Sequence, residues 1–319
     1  MGNQHSKKLR RRNSKQFAKE ISSSSADDYP NSTDSSFLHV NGRKFYRDAP
    51  CVFPVEDENE TIRNEEKHTI VRLLFDGNFS APIEDRLKAG GLKILDVGCG
   101  PGTWIIEMAK TYALCSFTGV DMSPNYFSRA LPENVELIQA DILKGLPIEN
   151  GEFDFVVMHF LNGCFAIRQW ESIIIPEIVR VMKPGAWLEW LECDAALKNQ
   201  GENTKKMLQA LLSLANSRGT NPWLVVEIPG ILKNSGVLVN INTEIRAVKY
   251  CSPGKCGELA RKGFISLFQF MKNQTMEFMS ITSHEYDQLL VKANEELEQY
   301  QTINEYYRFN AQLIDNDSE

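Results

Sequence analysis

The chain is 319 residues long, 42% hydrophobic and 24% charged, which is enough apolar material for one or two domains with a sizeable core. Its net charge of −7 is unevenly divided: residues 1–20 hold seven basic side chains against one acid, +6, leaving −13 for the rest. A body that acidic is a poor candidate for gripping nucleic-acid phosphates, which need clustered Lys and Arg, and no apolar run approaches the ~18 residues of a membrane-spanning helix.

Residues 1–36 are rich in Ser, Asn, Lys, Arg and Asp, include the run Ser22-Ser23-Ser24-Ser25, and offer almost nothing apolar to bury. Such a stretch cannot offset its ordering entropy, so it is expected to be a disordered basic arm. Within it, Met1-Gly2-Asn3-Gln4-His5-Ser6 fits the myristoylation pattern, with Gly2 as the acylated residue. Lys7, Lys8 and Arg10-Arg11-Arg12 follow directly. A single acyl chain holds a membrane only marginally, and an adjacent basic cluster supplies the second attraction to anionic lipid. The competing reading is a solvated basic tail or a nuclear-import signal. No apolar stretch follows the basic residues, so a secretory signal is not expected. The seven cysteines are an odd, scattered set; only Cys251 and Cys256 lie close together, without a His or second Cys pair to complete a metal site. Free thiols in a reducing compartment are the simpler reading. The expected location is the cytoplasm, peripheral to the inner membrane face if Gly2 is acylated, with the nucleus as the alternative.

Residues 37–90 read as an ordered lead-in and lid, helical from Thr61 to Ala89 through Ile62, Ile70, Val71, Leu73, Leu74, Ile83 and Leu87, and stopped by Gly90-Gly91. Residues 91–319 then alternate strands with helices. Lys93–Val97 is a short buried strand; Thr103 caps a helix carrying Trp104, Ile105, Met108 and Ala109. Ser116–Val120, Val135–Gln139 and Phe153–Met158 are further strands, and a helix over 169–182 is bent by Pro176. Lys183-Pro184-Gly185 turns into a fifth strand, Ala186–Leu191. That rhythm predicts an α/β, doubly wound, mostly parallel sheet with helices on both faces. Beyond Asp194 it loosens into a lid insertion over 195–236 with a helix at 204–217. A strand candidate at 237–248, helices at 257–279 and 284–300, and a strand at Tyr306–Leu313 follow.

The central signal is Leu95-Asp96-Val97-Gly98-Cys99-Gly100-Pro101-Gly102-Thr103, where a buried strand turns into a helix. Glycine there permits backbone angles other residues resist and lets a ligand approach the main chain. Gly102 lies two residues after Gly100, not three as in the dinucleotide fingerprint, and no Lys-Ser/Thr ending marks a P-loop. Asp121 ends the second strand, where a carboxylate can accept hydrogen bonds from both hydroxyls of a ribose. Asp141 ends the third strand, within reach of an adenine edge. Taken singly, Asp96 has an equally good role bracing the turn, and Asp141 one as a helix N-cap.

Together, LDVGCGPG, GVDMSP, QADILKGLP with GEFDFV, and EIVRVMKPGAWLEWLE resemble the ordered motifs of class I S-adenosylmethionine methyltransferases, over about residues 92–192. The likeness is greatest to fungal methyltransferases acting on small molecules or regulatory targets. The resemblance implies a Rossmann-like sheet of seven strands, with Tyr306–Leu313 as the strand inserted antiparallel, and S-adenosyl-L-methionine as cofactor. It further implies that Asp96 and the backbone of Gly98, Gly100 and Gly102 flank the methionine part of the cofactor. Asp121 would then hold the ribose, Met122 and Ile142 would sandwich the adenine, and Asp141 would bond its amino group.

A sulfonium is already electrophilic, so such an enzyme chiefly places and desolvates; a hydroxyl or amine acceptor also needs a proton acceptor. His159 after the fourth strand and Glu192 after the fifth are the candidates, each with an alternative role as pocket wall. The Asn-Pro-Pro-Tyr signature of amide-nitrogen methylation on nucleic acids is absent. Tyr46, His68, Arg72, Trp190 and Trp223 are candidate lid or acceptor-wall residues. The expected activity is methyl transfer to an O, N or carboxylate nucleophile of a small molecule or protein. The alternative is a cofactor-binding regulator without turnover, and a nicotinamide oxidoreductase is disfavoured by the glycine spacing.

Overall fold

The computed structural model of the chain describes residues 37–40, 43–47, 51, 58–123 and 130–315; the basic arm and its Gly2 lie outside them. Seven strands form one sheet: β3 (Lys93–Val97), β4 (Ser116–Asp121), β5 (Val135–Gln139), β6 (Phe153–His159), β7 (Met182–Lys198), β8 (Leu238–Lys249) and β9 (Ile303–Leu313), in the order β5-β4-β3-β6-β7-β9-β8. Pairings from β5 through β7 are parallel, and β9 runs antiparallel to both β7 and β8. The expected inserted strand is therefore present, and begins three residues earlier than its sequence pattern. Successive strands step one way from β3 and the other way from β6, so the topological switch point lies between them. Ligands of open α/β sheets bind outside the carboxyl ends of the strands at such a point.

Burial explains the order. β3 and β6 are near-continuous apolar runs because helices cover both their faces. Alternation sends Ile94, Phe155 and Val157 into one core with Trp104, Ile105, Met108 and Leu87, from helices α2 (Glu84–Ala89) and α3 (Thr103–Thr111). It sends Leu95, Val97, Val156 and Met158 into the other, with Trp170, Ile178, Trp190 and Ile228. A third core joins α1 (Glu58–Leu74) to the later helices α5 (Glu202–Ser217), α7 (Lys255–Phe270) and α9 (Ser283–Gln299) above β7 and β9. α6 (Leu224–Asn234) and α8 (Lys272–Met279) complete the set.

Several expectations are corrected. The lead-in opens with two strands, β1 (Phe37–Val40) and β2 (Arg43–Tyr46), paired antiparallel, before any helix. Thr103 does not cap α3; Gly102 does, at φ +75°, and Thr103 is the first helical residue. The helix over 169–182 is segmented into Ile167–Gln169, a π turn Trp170–Ile174 and α4 (Ile175–Val181). Pro176 falls in the first turn of α4, directly after the wide turn, where its missing N–H costs least. Lys183-Pro184-Gly185 lies inside β7, which is far longer than the six residues expected. The partial alternation of 237–248 has its cause in Asn240, at φ +51°, where the β8–β9 register shifts.

The loop between α1 and α2 is pinned to the sheet by a buried charge cluster. Glu189 on β7 accepts the amides of Ser80 (2.6 Å) and Ala81 (3.0 Å), and Arg308 on β9 stands 3.3 Å from it. Arg308 also donates to Ser80 Oγ and the Gly77 carbonyl and lies 4.3 Å over the Phe75 ring. This fixes the C-terminal end of α1.

Candidate active site

The turn after β3 is held by main chain. Gly98 and Cys99 amides both donate to the Val120 carbonyl (2.8 and 3.1 Å), and the Gly102 amide donates to the Cys99 carbonyl (3.0 Å). Gly98 and Gly100 have φ of +72° and +52°, the left-handed region that a side chain disfavours. They differ in surroundings. A Cβ on Gly98 would stand 2.6 Å from Leu161 Cδ2, whereas one on Gly100 would meet nothing within 4 Å. Gly100 thus presents bare backbone, and Leu161, from the loop after β6, roofs Gly98.

Asp121 binds this turn to its own strand end: Oδ2 accepts the Gly100 amide (2.9 Å) and Oδ1 the Ser123 amide (2.8 Å). Its carbonyl accepts the amide of Ala140 (3.0 Å), so the ends of β3, β4 and β5 are laced together. Asp141 caps the short 3₁₀ turn Ile142–Lys144 through the Leu143 amide (3.0 Å), the role the sequence left level with adenine binding. Ile142 is buried in the core beside Leu146, and half-buried Met122 accepts Gln139 Nε2 at its carbonyl. Asp121 and Asp141 therefore flank the same mouth as Gly98–Gly102.

Asp96 is the one acidic residue in β3 and is 2% exposed. Burial, with the nearby charge of Asp121, pushes its carboxyl up to about 8. Burial also raises Asp121, countered by the amides of Ser123, Gly100 and Met122. Two further buried polar atoms at these strand ends, Thr103 Oγ1 and Ser123 Oγ, have no hydrogen-bond partner among the described residues. A buried carboxyl that ionises only beside a cation, exposed glycine backbone and orphaned hydroxyls form a site that an adenosine with a cationic tail fits.

The two proton-acceptor candidates separate. His159 continues the Phe155–Val157 side of β6, its ring edge-on to Trp104 at 5.3 Å. Burial, then the charges of Arg308 and His68, lower it to about 3, so it is a neutral ring with Nε2 unpartnered among the described residues. Glu192 continues the Leu188–Trp190 side of β7. Its Oε1 accepts the Leu161 amide (2.8 Å) and Trp190 Nε1 (3.1 Å), and Oε2 is buried without a partner among the described residues. Burial raises Glu192 to about 7, against the lowering pull of Trp190, Leu161 and Lys67. Through Leu161, Glu192 adjoins the glycine turn.

Of the other wall candidates, Trp190 alone touches Glu192. His68 and Arg72 both reach Glu107 (2.8 and 3.0 Å), tying α1 to α3. Trp223 is exposed and Tyr46 sits on β2. Residues the sequence did not single out are Leu161, Phe160 and Lys67, whose Nζ stands 4.4 Å from the Phe160 ring centre. The lead-in closes over this end: Cys51 Sγ lies 3.6 Å from Cys164 Sγ, and Arg218 after α5 donates to the Cys51 carbonyl (2.8 Å).

A doubly wound sheet with a glycine turn and an acidic residue at the next strand end, both beside its switch point, defines a nucleotide-cofactor enzyme of the α/β class. Comparison with known proteins sharpens that. Residues 94–185 match the methyltransferase domain family. N-methyltransferase verN of Clonostachys rogersoniana is 26% identical over 281 residues, 85% of this chain and 95% of that protein. Methyltransferase str3 of Strobilurus tenacellus is 28% identical over 48% of the chain, and the secondary metabolism regulator laeA of Aspergillus flavus 32% over 50%. The chain spans about half the length of these two, 55% and 42%. A solved structure, Haemonchus contortus phospholethanolamine N-methyltransferase 2 in complex with phosphomonomethylethanolamine and S-adenosylhomocysteine, is 18% identical over 80% of the chain and 59% of its own, at a TM-score of 0.46. Through the domain at residues 94–185 and along most of verN, the chain is similar to S-adenosylmethionine-dependent methyltransferases.

Proposed function

We propose that this methyltransferase moves the methyl group of S-adenosylmethionine to a small nucleophile held beneath α1 and the 195–236 helices, with Glu192 as proton acceptor. The observation that carries the reading is the buried Glu192, one oxygen held by the Leu161 amide and the Trp190 indole and the other unpartnered among the described residues. A carboxyl balanced at about 7 can take a proton near neutral pH, whereas the ring of His159, held to about 3, is a wall. The bound cofactor supplies an electrophilic methyl. The acceptor's lone pair would take that methyl, the cofactor leaving as its neutral thioether with the old bonding pair, and Glu192 would receive the acceptor's proton.

Asp96 would face the cationic methionine end, the Gly100 backbone its approach, Asp121 the ribose, and Met122, Asp141 and Ile142 the adenine. An amine is the first acceptor to try, because verN, aligned over 85% of the chain, is named an N-methyltransferase. Labelled methyl transfer into fractionated extract tests the reading, with Glu192→Gln alongside wild type. Labelled product from wild type and at least a hundredfold less from E192Q is expected. S-adenosylhomocysteine binding without any transfer would support instead a regulator without turnover.

We propose in addition that the basic arm anchors the enzyme to anionic membrane through an acylated Gly2. Its support is the sequence pattern, and no helix among the described residues is long and apolar enough to cross a membrane. Equal membrane recovery of wild type and Gly2→Ala would refute it.

A further inference from the structure

The inward stripe of α1 changes character along its length. Ile70 and Val71 join the core with Leu191 and Tyr306, while Arg63 and Glu60, about two and three turns earlier, are buried as an ion pair with Arg63 Nε 2.7 Å from Glu60 Oε2. Lys67 lies between these halves, its Nζ 4.4 Å from the Phe160 ring centre. Phe160 is a fixed seat. Its amide donates to the Leu191 carbonyl (2.9 Å), its backbone is left-handed at φ +57°, and Tyr306 braces the ring edge-on at 6.2 Å. The residues flanking this seat hold Glu192: Leu161 follows Phe160 and donates to Oε1, while Glu192 follows Leu191.

The Trp190 and Leu161 donors oppose the burial of Glu192, Lys67 adds the pull of a charge, and the Asn162 amide contributes in the same direction. The charged and titratable groups that face Glu192 are Lys67 from α1, Cys193 on its own strand and Cys164 from the loop after β6; of these Lys67 is the cation. Arg63 is committed to Glu60. We propose that Lys67 is a positioning residue for the proton acceptor: seated on the Phe160 ring, its ammonium holds Glu192 as a carboxylate, so that the acceptor meets a base and not an acid. The inference rests on Glu192 taking the proton, and it adds a group that the methyl acceptor never has to touch. Burial and the charge of Arg63 lower the proton affinity of Lys67 itself, so the two groups titrate as a coupled pair.

The test reads the carboxyl directly and needs no acceptor. In the full chain with Glu side-chain carboxyls labelled with ¹³C, subtracting the spectrum of Glu192→Gln assigns the Glu192 signal. A wild-type midpoint about 7 is expected. Lys67→Met should raise it by about one unit or more, which cuts the ionised fraction at pH 7 from about one half to about one tenth. Lys67→Arg should return it to near the wild-type midpoint. A midpoint unmoved in K67M overturns the proposal. If K67M does not fold, Phe160→Leu takes its place, since loss of the seat should shift the midpoint in the same direction, and no shift again overturns it. Should E192Q transfer label with the wild-type pH profile, the base assignment falls while the titration still reports on Lys67.

Discussion

Asp96→Asn should make the protein more stable and worse at binding its cofactor. Asp96 is raised from 3.8 to about 8 by burial and by Asp121, so at pH 7 about nine-tenths of it is protonated. If the cationic end of the cofactor pairs with it, that proton must leave on binding, at a cost of about 1.4 kcal/mol per pH unit below 8. Affinity for S-adenosylhomocysteine should therefore rise about tenfold from pH 6 to 7, rise less from 7 to 8, and then level. Calorimetry at pH 7 in two buffers of different ionisation enthalpy should detect close to one proton released. The same shift acts oppositely on the ligand-free fold. The folded protein binds a proton here that the unfolded chain has lost, so stability falls as pH rises from about 4 to about 8. Asn abolishes both slopes, and its melting temperature at pH 8 should exceed that of wild type. A wild-type affinity flat between pH 6 and 8, without proton release, would refute the assignment of Asp96.

Arg308→Met leaves Glu189 fully buried beside only two amides and should cost about 3–5 kcal/mol in urea unfolding, with Glu189→Gln added to it restoring part. An R308M protein within about 1 kcal/mol of wild type would show the cluster to be dispensable. Gly98→Ala combines a left-handed backbone with a contact at 2.6 Å to Leu161, and should lower stability by about 1–3 kcal/mol. Leu161→Ala in the same chain should recover the steric share alone, as seen by thermal unfolding; full recovery or none would contradict the geometry.

The half of the fold around the switch point was legible because its signals are local. Lys93–Val97, Val135–Gln139 and the glycine turn carry their own boundaries, as buried runs ended by residues that must adopt unusual backbone. The first pair of strands escaped because each is four residues long, too short for period-two patterning to declare itself. Thr103 looked like a cap because Ser and Thr usually are, and the left-handed Gly102 displaced it. Asp121 could be placed from sequence since its partners, Gly100 and Ser123, are set by the strand ends it joins. Choosing between His159 and Glu192 could not be done that way. Their ionisation is set first by burial, then by Arg308 for His159 and by Trp190, Leu161 and Lys67 for Glu192, and burial under elements remote along the chain is not written in the local pattern.

The placement of β9 has a consequence for how the molecule assembles. β8 pairs with no described strand except β9, and β9 also covers the outer edge of β7. All of α7, α8 and α9 intervene in sequence between β8 and its partner. The parallel half can therefore pair while being synthesised, but the edges of β7 and β8 stay open until the final strand slots between them. Long-range closure of that kind is slow, and during the delay two unsatisfied ladders are exposed to neighbouring chains. Substitutions that weaken β9 should thus show themselves first as aggregation on expression, before any loss of affinity in the protein that does fold.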